Sequence, residues 1–167
     1  MMKICPPVKK VGKDWDYKGR NEIVQIFLDH DNIINYIQFQ YVDENGALVL
    51  SDGHGRVNGI KFTAVKFKYP SEYLICVSGT NCIIYGTLTS ITFVTNLETH
   101  GAFGNPSEND TKFYYHLGQE GQFGGFHGTA DDLCVRSFGI YFKPITSLDS
   151  PKKVKDDPEV RSEYFIV

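Results

Sequence analysis

Nowhere in this chain do apolar residues recur at the helical spacing of about 3.6 residues; short runs of period two take that place. In Ile37-Gln38-Phe39-Gln40-Tyr41 the apolar and polar faces alternate cleanly, as in a strand with one face in a core. Comparable runs span Glu22 to Leu28, Tyr73 to Val77, Cys82 to Tyr85, Ser90 to Thr95, Lys112 to Leu117 and Leu133 to Phe142. Ile60 and Phe62 alternate with Lys61, then the phase slips at Thr63-Ala64 and resumes at Val65 and Phe67, which predicts a β-bulge. Polar turn clusters separate the runs: Asp43 to Gly46, Ser51 to Gly55, Ser78 to Asn81, and Gly101 to Asn109. Many short strands spaced by such turns predict an all-β sandwich, barrel or prism.

The residue types agree. Aromatics reach 14%, with twelve Phe and ten Tyr, and rings suit pleated, half-buried strands. The net charge is −3 with both signs spread along the chain, so no basic face exists on which a phosphate backbone would be neutralised; nucleic acid is not an expected partner. The start, Met1 to Lys10, is charged and broken by Pro6-Pro7, with no apolar leader and no membrane span after it. That predicts a cytoplasmic protein in which Cys5, Cys76, Cys82 and Cys134 stay reduced, with Cys76 and Cys82 the pair best able to bridge. Asn109-Asp110-Thr111 is then an unmodified sequon.

Catalytic signatures are missing. His30, His54, His100, His116 and His127 show no metal-ligand spacing, no nucleophile elbow surrounds any serine, and three cysteines fall in apolar runs where the thiol is a small hydrophobe. The expectation is no enzyme, no catalytic residues, no metal and no cofactor. The informative segment is Phe123-Gly124-Gly125-Phe126-His127-Gly128-Thr129-Ala130-Asp131-Asp132, read as a strand entering a glycine-rich loop tipped by carboxylates, with Leu133 to Tyr141 leaving it. Such a loop offers backbone donors and acceptors together, as polyhydroxyl recognition requires.

Taken with its neighbours, this segment resembles the jacalin-related lectins. The markers follow in that family's order: Trp15-Asp16, Val77-Ser78-Gly79, Thr95-Asn96 leading to Gly101-Ala102-Phe103-Gly104, Gly125 to Gly128, and Gly139-Ile140-Tyr141. Gln25 to Leu28, Leu48 to Asp52 with His54-Gly55, and Tyr69-Pro70 with Glu72-Tyr73 resemble the plant branch that restricts long-distance movement of potyviruses. The resemblance implies a type I β-prism of three four-stranded antiparallel Greek-key sheets over residues 11–143, after a lead-in of 1–10 and before a charged extension of 144–167. It also implies a role in plant antiviral defence and homo-oligomerisation.

The resemblance further implies a site for mannose- or glucose-type glycans, built from three loops at one end of the prism. Carried over by position, these loops supply Gly12 from Val11-Gly12-Lys13-Asp14, His100 from Leu97 to His100, and Ala130, Asp131, Asp132, Leu133 and Arg136 from the last loop. Arg136 stands where the family has its acceptor aspartate, in a loop one residue longer than usual, and a guanidinium has donors only. Two readings follow: a lectin whose acceptors are Asp131 or Asp132, or a lectin-derived scaffold that has lost mannose binding and engages protein partners.

Overall fold

The computed structural model describes residues 1–118 and 121–148, and every regular element among them is a strand. In chain order these are β1 (Met2–Ile4), β2 (Lys13–Asp16), β3 (Ile23–His30), β4 (Ile34–Val42), β5 (Leu48–Leu50), β6 (His54–Gly55), β7 (Phe62–Lys66), β8 (Leu74–Cys82), β9 (Thr87–Thr95), β10 (Thr99–Gly104), β11 (Thr111–His116), β12 (Phe123–Ala130) and β13 (Val135–Phe142). No helix among them is long and apolar enough to cross a membrane.

They form three antiparallel sheets, ordered β1-β13-β12-β2, β5-β4-β3-β7 and β10-β9-β8-β11, each a central hairpin flanked by strands that return from elsewhere in the chain. The second sheet has a fifth strand, since β6 also pairs with β4. The extra count has a local cause: β5 lies on Gln40–Val42 and β6 on Tyr36–Ile37, so the two are one outer strand interrupted at Ser51 to Gly53. Ser51 bridges the gap, its Oγ accepting from the Phe39 N–H at 2.9 Å.

Each sheet turns one face inward, and the faces meet on four fully buried rings: Phe126 and Phe138 from the first sheet, Phe39 from the second and Phe93 from the third. Phe126 lies 4.8 Å from Phe39, 5.0 Å from Phe138 and 6.0 Å from Phe93 between centroids, within the range where ring edges and faces attract. Along β4 the alternation is as expected, with Ile37, Phe39 and Tyr41 buried.

Four expectations need correction. Ser78 to Asn81 is not a turn but lies within β8, paired with β9. β7 pairs with β3 in continuous register from Phe62 to Lys66, without a bulge; Phe62 points outward and stays exposed, so the apparent slip came from assuming that every large apolar residue faces the core. Cys82 ends β8, and Ile83–Gly86 is a hairpin turn closed by Gly86 N–H donating to the Cys82 carbonyl, not strand. Residues 1–10 are more than a lead-in, since Met2–Ile4 pairs with Ile140–Phe142 as the outer strand of the first sheet. Three residues are too few to show periodicity. Of the extension, residues 144–148 form no regular element, and 149–167 lie outside the described residues.

All four cysteines are unpaired. Cys76 and Cys82 lie six residues apart on one strand, about 20 Å, and cannot bridge. Burial of Cys76 and Cys134 limits access and raises both thiol pKa values. A thiol reagent should therefore count four groups in the denatured protein without reductant, and in the folded protein should modify exposed Cys5 first and Cys76 and Cys134 last. Truncating a central ring should be costly: Phe138→Ala should lower the unfolding free energy by about 3–5 kcal/mol, read from urea melts followed by near-UV circular dichroism.

Candidate functional site

Strands that run the length of the prism deliver their turns to its two ends. One end gathers the segment before β2, the Ile83–Gly86 turn and the β12–β13 turn. Lys13 pairs with Ala130, and Gly12 passes so close that a Cβ there would sit 2.6 Å from the Ala130 carbonyl oxygen, at a φ of +84°. Only glycine fits. A Cβ on Gly86 would meet the Val11 side chain at 2.7 Å, so the Ile83–Gly86 turn also packs against the segment before β2.

The β12–β13 turn is tighter than the glycine-rich loop the sequence suggested. β12 continues to Ala130, every residue of it buried, and the turn is Asp131–Cys134. The additional residue of this hairpin is absorbed as a bulge: Thr129 faces Ser137 and Ala130 faces Val135, leaving Arg136 unmatched. A bulge re-aims its side chain, and that of Arg136 folds back across the turn. Its Nε donates to Asp131 Oδ2 at 2.8 Å, Nη2 approaches the same oxygen at 2.8 Å, and Nη1 donates to the Tyr85 carbonyl at 3.1 Å. The bulged carbonyl in turn accepts from the Asn81 side chain at 2.9 Å.

Asp131 is consequently a structural residue. Its second oxygen accepts from the Leu133 N–H at 3.0 Å and the Cys134 N–H at 3.1 Å, so the carboxylate has no lone pair left for a ligand. Burial pushes the Asp131 pKa up, but Arg136 and the two N–H groups outweigh it and the net shift is downward. Asp132, next along, is exposed and takes no hydrogen bond or ion pair among the described residues. Leu133 is exposed at the tip.

Beside this turn lies a concavity of about 520 Å³, lined by Lys13, Asp14, Trp15, Gly53, His54 and Asp132 among others. Trp15 stacks on His54 at 4.9 Å with planes 15° apart, and the His54 ring nitrogen hydrogen-bonds to the Tyr17 hydroxyl. Burial lowers the His54 pKa, which favours the neutral ring. Donors, carboxylates and aromatic surface thus share one shallow hollow.

Of the residues expected here, Gly12, Ala130, Asp131, Asp132, Leu133 and Arg136 come together. His100 does not. It follows the β9–β10 turn, at the opposite end with Glu72 and Phe67, because consecutive hairpin turns alternate between ends. The turn that meets the site is the β8–β9 one, which sequence reasoning read as strand. Tyr85 holds Arg136 from there, and Ile83, Ile84 and Tyr85 stand exposed at its tip. Gly86, closing an apolar run, was the signal for a turn. In the sequence Trp15 carries no signal beyond the Trp15-Asp16 marker, and His54 none beyond its place in a turn cluster.

A family model for the jacalin-like lectin domain matches residues 6–141. "Protein RESTRICTED TEV MOVEMENT 1" of Arabidopsis thaliana is 39% identical over 140 residues, covering 81% of this chain and 80% of that protein. A second Arabidopsis thaliana protein, "Inactive protein RESTRICTED TEV MOVEMENT 1", is 40% identical over 141 residues with the same coverage. Among solved structures, a mannose-specific jacalin-related lectin from Morus nigra in complex with mannose superposes with a TM-score of 0.70 at 26% identity, covering 86% of this chain and 96% of that one.

The Asp131–Arg136 pair yields a prediction. Its side chains are only 25% and 13% exposed, so removing either leaves a partly buried charge alone. Asp131→Asn and Arg136→Met should each lower stability by about 1.5–3 kcal/mol at neutral pH, and the double variant by less than the sum. With its folded pKa below the unfolded one, Asp131 contributes stability that is present above the unfolded aspartate pKa of about 3.9 and is lost as pH falls through the lower folded value. Urea melts from neutral to acid pH should therefore show a shallower acid decline in Asp131→Asn than in the parent.

Proposed function

The chain belongs to the jacalin-like lectin family, and from that premise we propose that it is a carbohydrate-binding protein of plant defence, acting where its Arabidopsis relatives are named for restricted virus movement. Its ligand is a neutral glycan of the mannose or glucose type, held in the hollow between the β12–β13 turn and His54. The observation that carries this is Asp132: an exposed carboxylate with no partner among the described residues, on the lip of a concavity that also holds Lys13, Asp14 and the Trp15–His54 stack. Carboxylate oxygens accept from paired hydroxyls, an ammonium and backbone N–H groups donate, and an aromatic face meets the C–H face of a pyranose. The work is binding rather than catalysis. The location we propose is cytoplasmic, where four unpaired thiols persist without oxidation. Self-association is part of the same reading, since Leu48, Leu50 and Phe62 are exposed on the second sheet.

A second reading rests on a different observation. Asp131 and Arg136 are occupied with each other, and the adjoining tip exposes Ile83, Ile84 and Tyr85. A lectin-derived scaffold that engages a protein partner through this end would keep both features.

A glycan array with competition by free mannose separates the two. The lectin reading expects a mannose- or glucose-type signal that Asp132→Asn reduces about tenfold or more, a loss of about 1.4 kcal/mol or more from a charge-assisted bond, with the circular dichroism spectrum unchanged. No glycan signal from the parent protein would leave the scaffold reading standing. A signal indifferent to Asp132→Asn would move the sugar away from this hollow.

A further inference from the structure

At the end of the prism opposite the glycan hollow, two carboxylates converge on one imidazole. His100 Nε2 lies 2.9 Å from Glu72 Oε1 and 3.6 Å from Glu98 Oε1, and the three atoms fall within 4.8 Å of one another. Glu72 is 2% exposed, and among the described residues His100 is its only ion-pair partner. Buried carboxylates are ordinarily matched by a cation or a metal ion. An imidazole carries at most one positive charge, so this cluster is net negative in either protonation state of His100. Neither the glycan reading nor the scaffold reading uses it.

We propose that Glu72, Glu98 and His100 bind one divalent transition-metal ion of the zinc class. The donor set selects that class, since imidazole with carboxylates suits zinc and its neighbours, whereas calcium and magnesium prefer oxygen alone. Zinc bonds of about 2.0–2.2 Å in tetrahedral geometry put ligand atoms about 3.4 Å apart, so the 2.9 Å contact opens and the 3.6 Å contact closes by a few tenths of an ångström. The supporting bonds are in place. Glu72 Oε2 accepts from the Lys68 N–H and Oε1 from the Thr95 hydroxyl, both at 2.7 Å, while the His100 ring stacks on Phe67 at 5.5 Å. The ion takes the place of the proton that Nε2 now directs at Glu72. From a neutral ring that proton moves to Nδ1; from an imidazolium one proton leaves to solvent. Water fills the fourth position on the exposed side of Glu98. Bound there, the ion ties the β9–β10 turn to the loop that enters β8.

The test uses the full chain carrying Cys5→Ser, which removes the exposed thiol as a competing ligand. After chelator treatment, zinc chloride is titrated by calorimetry, and cobalt(II) is added separately to report coordination in the visible spectrum. The expected result is one zinc equivalent, weakened about tenfold or more by Glu98→Gln and by His100→Gln, with cobalt bands lacking the intense near-ultraviolet thiolate transition. Glu98 is exposed, so Glu98→Gln should leave the thermal midpoint of the zinc-free protein unchanged. Equal uptake in the Cys5→Ser protein and its Glu98→Gln variant, no uptake in either, or thiolate-type cobalt bands would each overturn the proposal.

Discussion

Everything in this molecule hangs on the point where Phe39, Phe93, Phe126 and Phe138 meet. A sheet with one apolar face must bury it, and three such sheets can do so by facing a common axis. The four rings are the contact through which that happens: Phe126 touches partners from both other sheets, and Phe138 lies 6.1 Å from Phe93 and 6.4 Å from Phe39. Trp15 extends the set toward the site end, its ring 5.8 Å from Phe39 and 5.7 Å from Phe138. The hollow beside the β12–β13 turn is therefore not a separate construction. Its aromatic wall is the last ring of the core, stacked on His54 where the prism opens.

This arrangement divides the work between strands and turns. Ladder bonds and core rings hold the strand ends in place, so turns at the same end can vary without disturbing the core. The β12–β13 hairpin illustrates the division. One extra residue did not lengthen the turn; it became a bulge within β13, and the bulge sent Arg136 across to Asp131 and Tyr85. Asn81, itself at a register shift in the neighbouring sheet, closes the gap by donating to the bulged carbonyl.

What could be read from the sequence follows the same division. The strand β4 was legible because one of its faces is wet, and alternation survives only there. The strand β12 was not: buried on both faces and carrying Gly124, Gly125 and Gly128, it lost the period-two pattern and passed for a loop. Gly128 is small because Trp15 lies on it, with a Cβ there falling 2.5 Å from the indole, so packing rather than turning explains that glycine. Phe62 and the Ile83–Tyr85 tip misled in the other direction, being large apolar residues that face water. The site residues around Gly12 and Ala130 were legible only through the family resemblance, and they meet because β2 pairs with the end of β12. His100 was not, because the end a turn reaches depends on how many strands the chain has crossed, which is a property of topology and leaves no local trace.

The Asp131–Arg136 exchange also bears on how strongly such a site can hold a sugar. A carboxylate committed to an internal guanidinium cannot supply charge-assisted bonds to hydroxyls, so on the glycan reading Asp132 supplies most of that kind of bond at the lip. One such bond contributes about 1.5–3 kcal/mol. Millimolar binding corresponds to about 4 kcal/mol in total, so a single hollow of this chemistry sits near the weak end of recognition. Useful avidity then has to come from several copies engaging one glycan surface, where linkage raises the effective concentration of each further contact. Self-association, if the proposed reading holds, becomes a condition of function rather than an accessory to it. On the glycan reading, the ion pair that ties Asp131 to Arg136 within the hairpin is thus also what makes the number of sites matter more than the strength of any one.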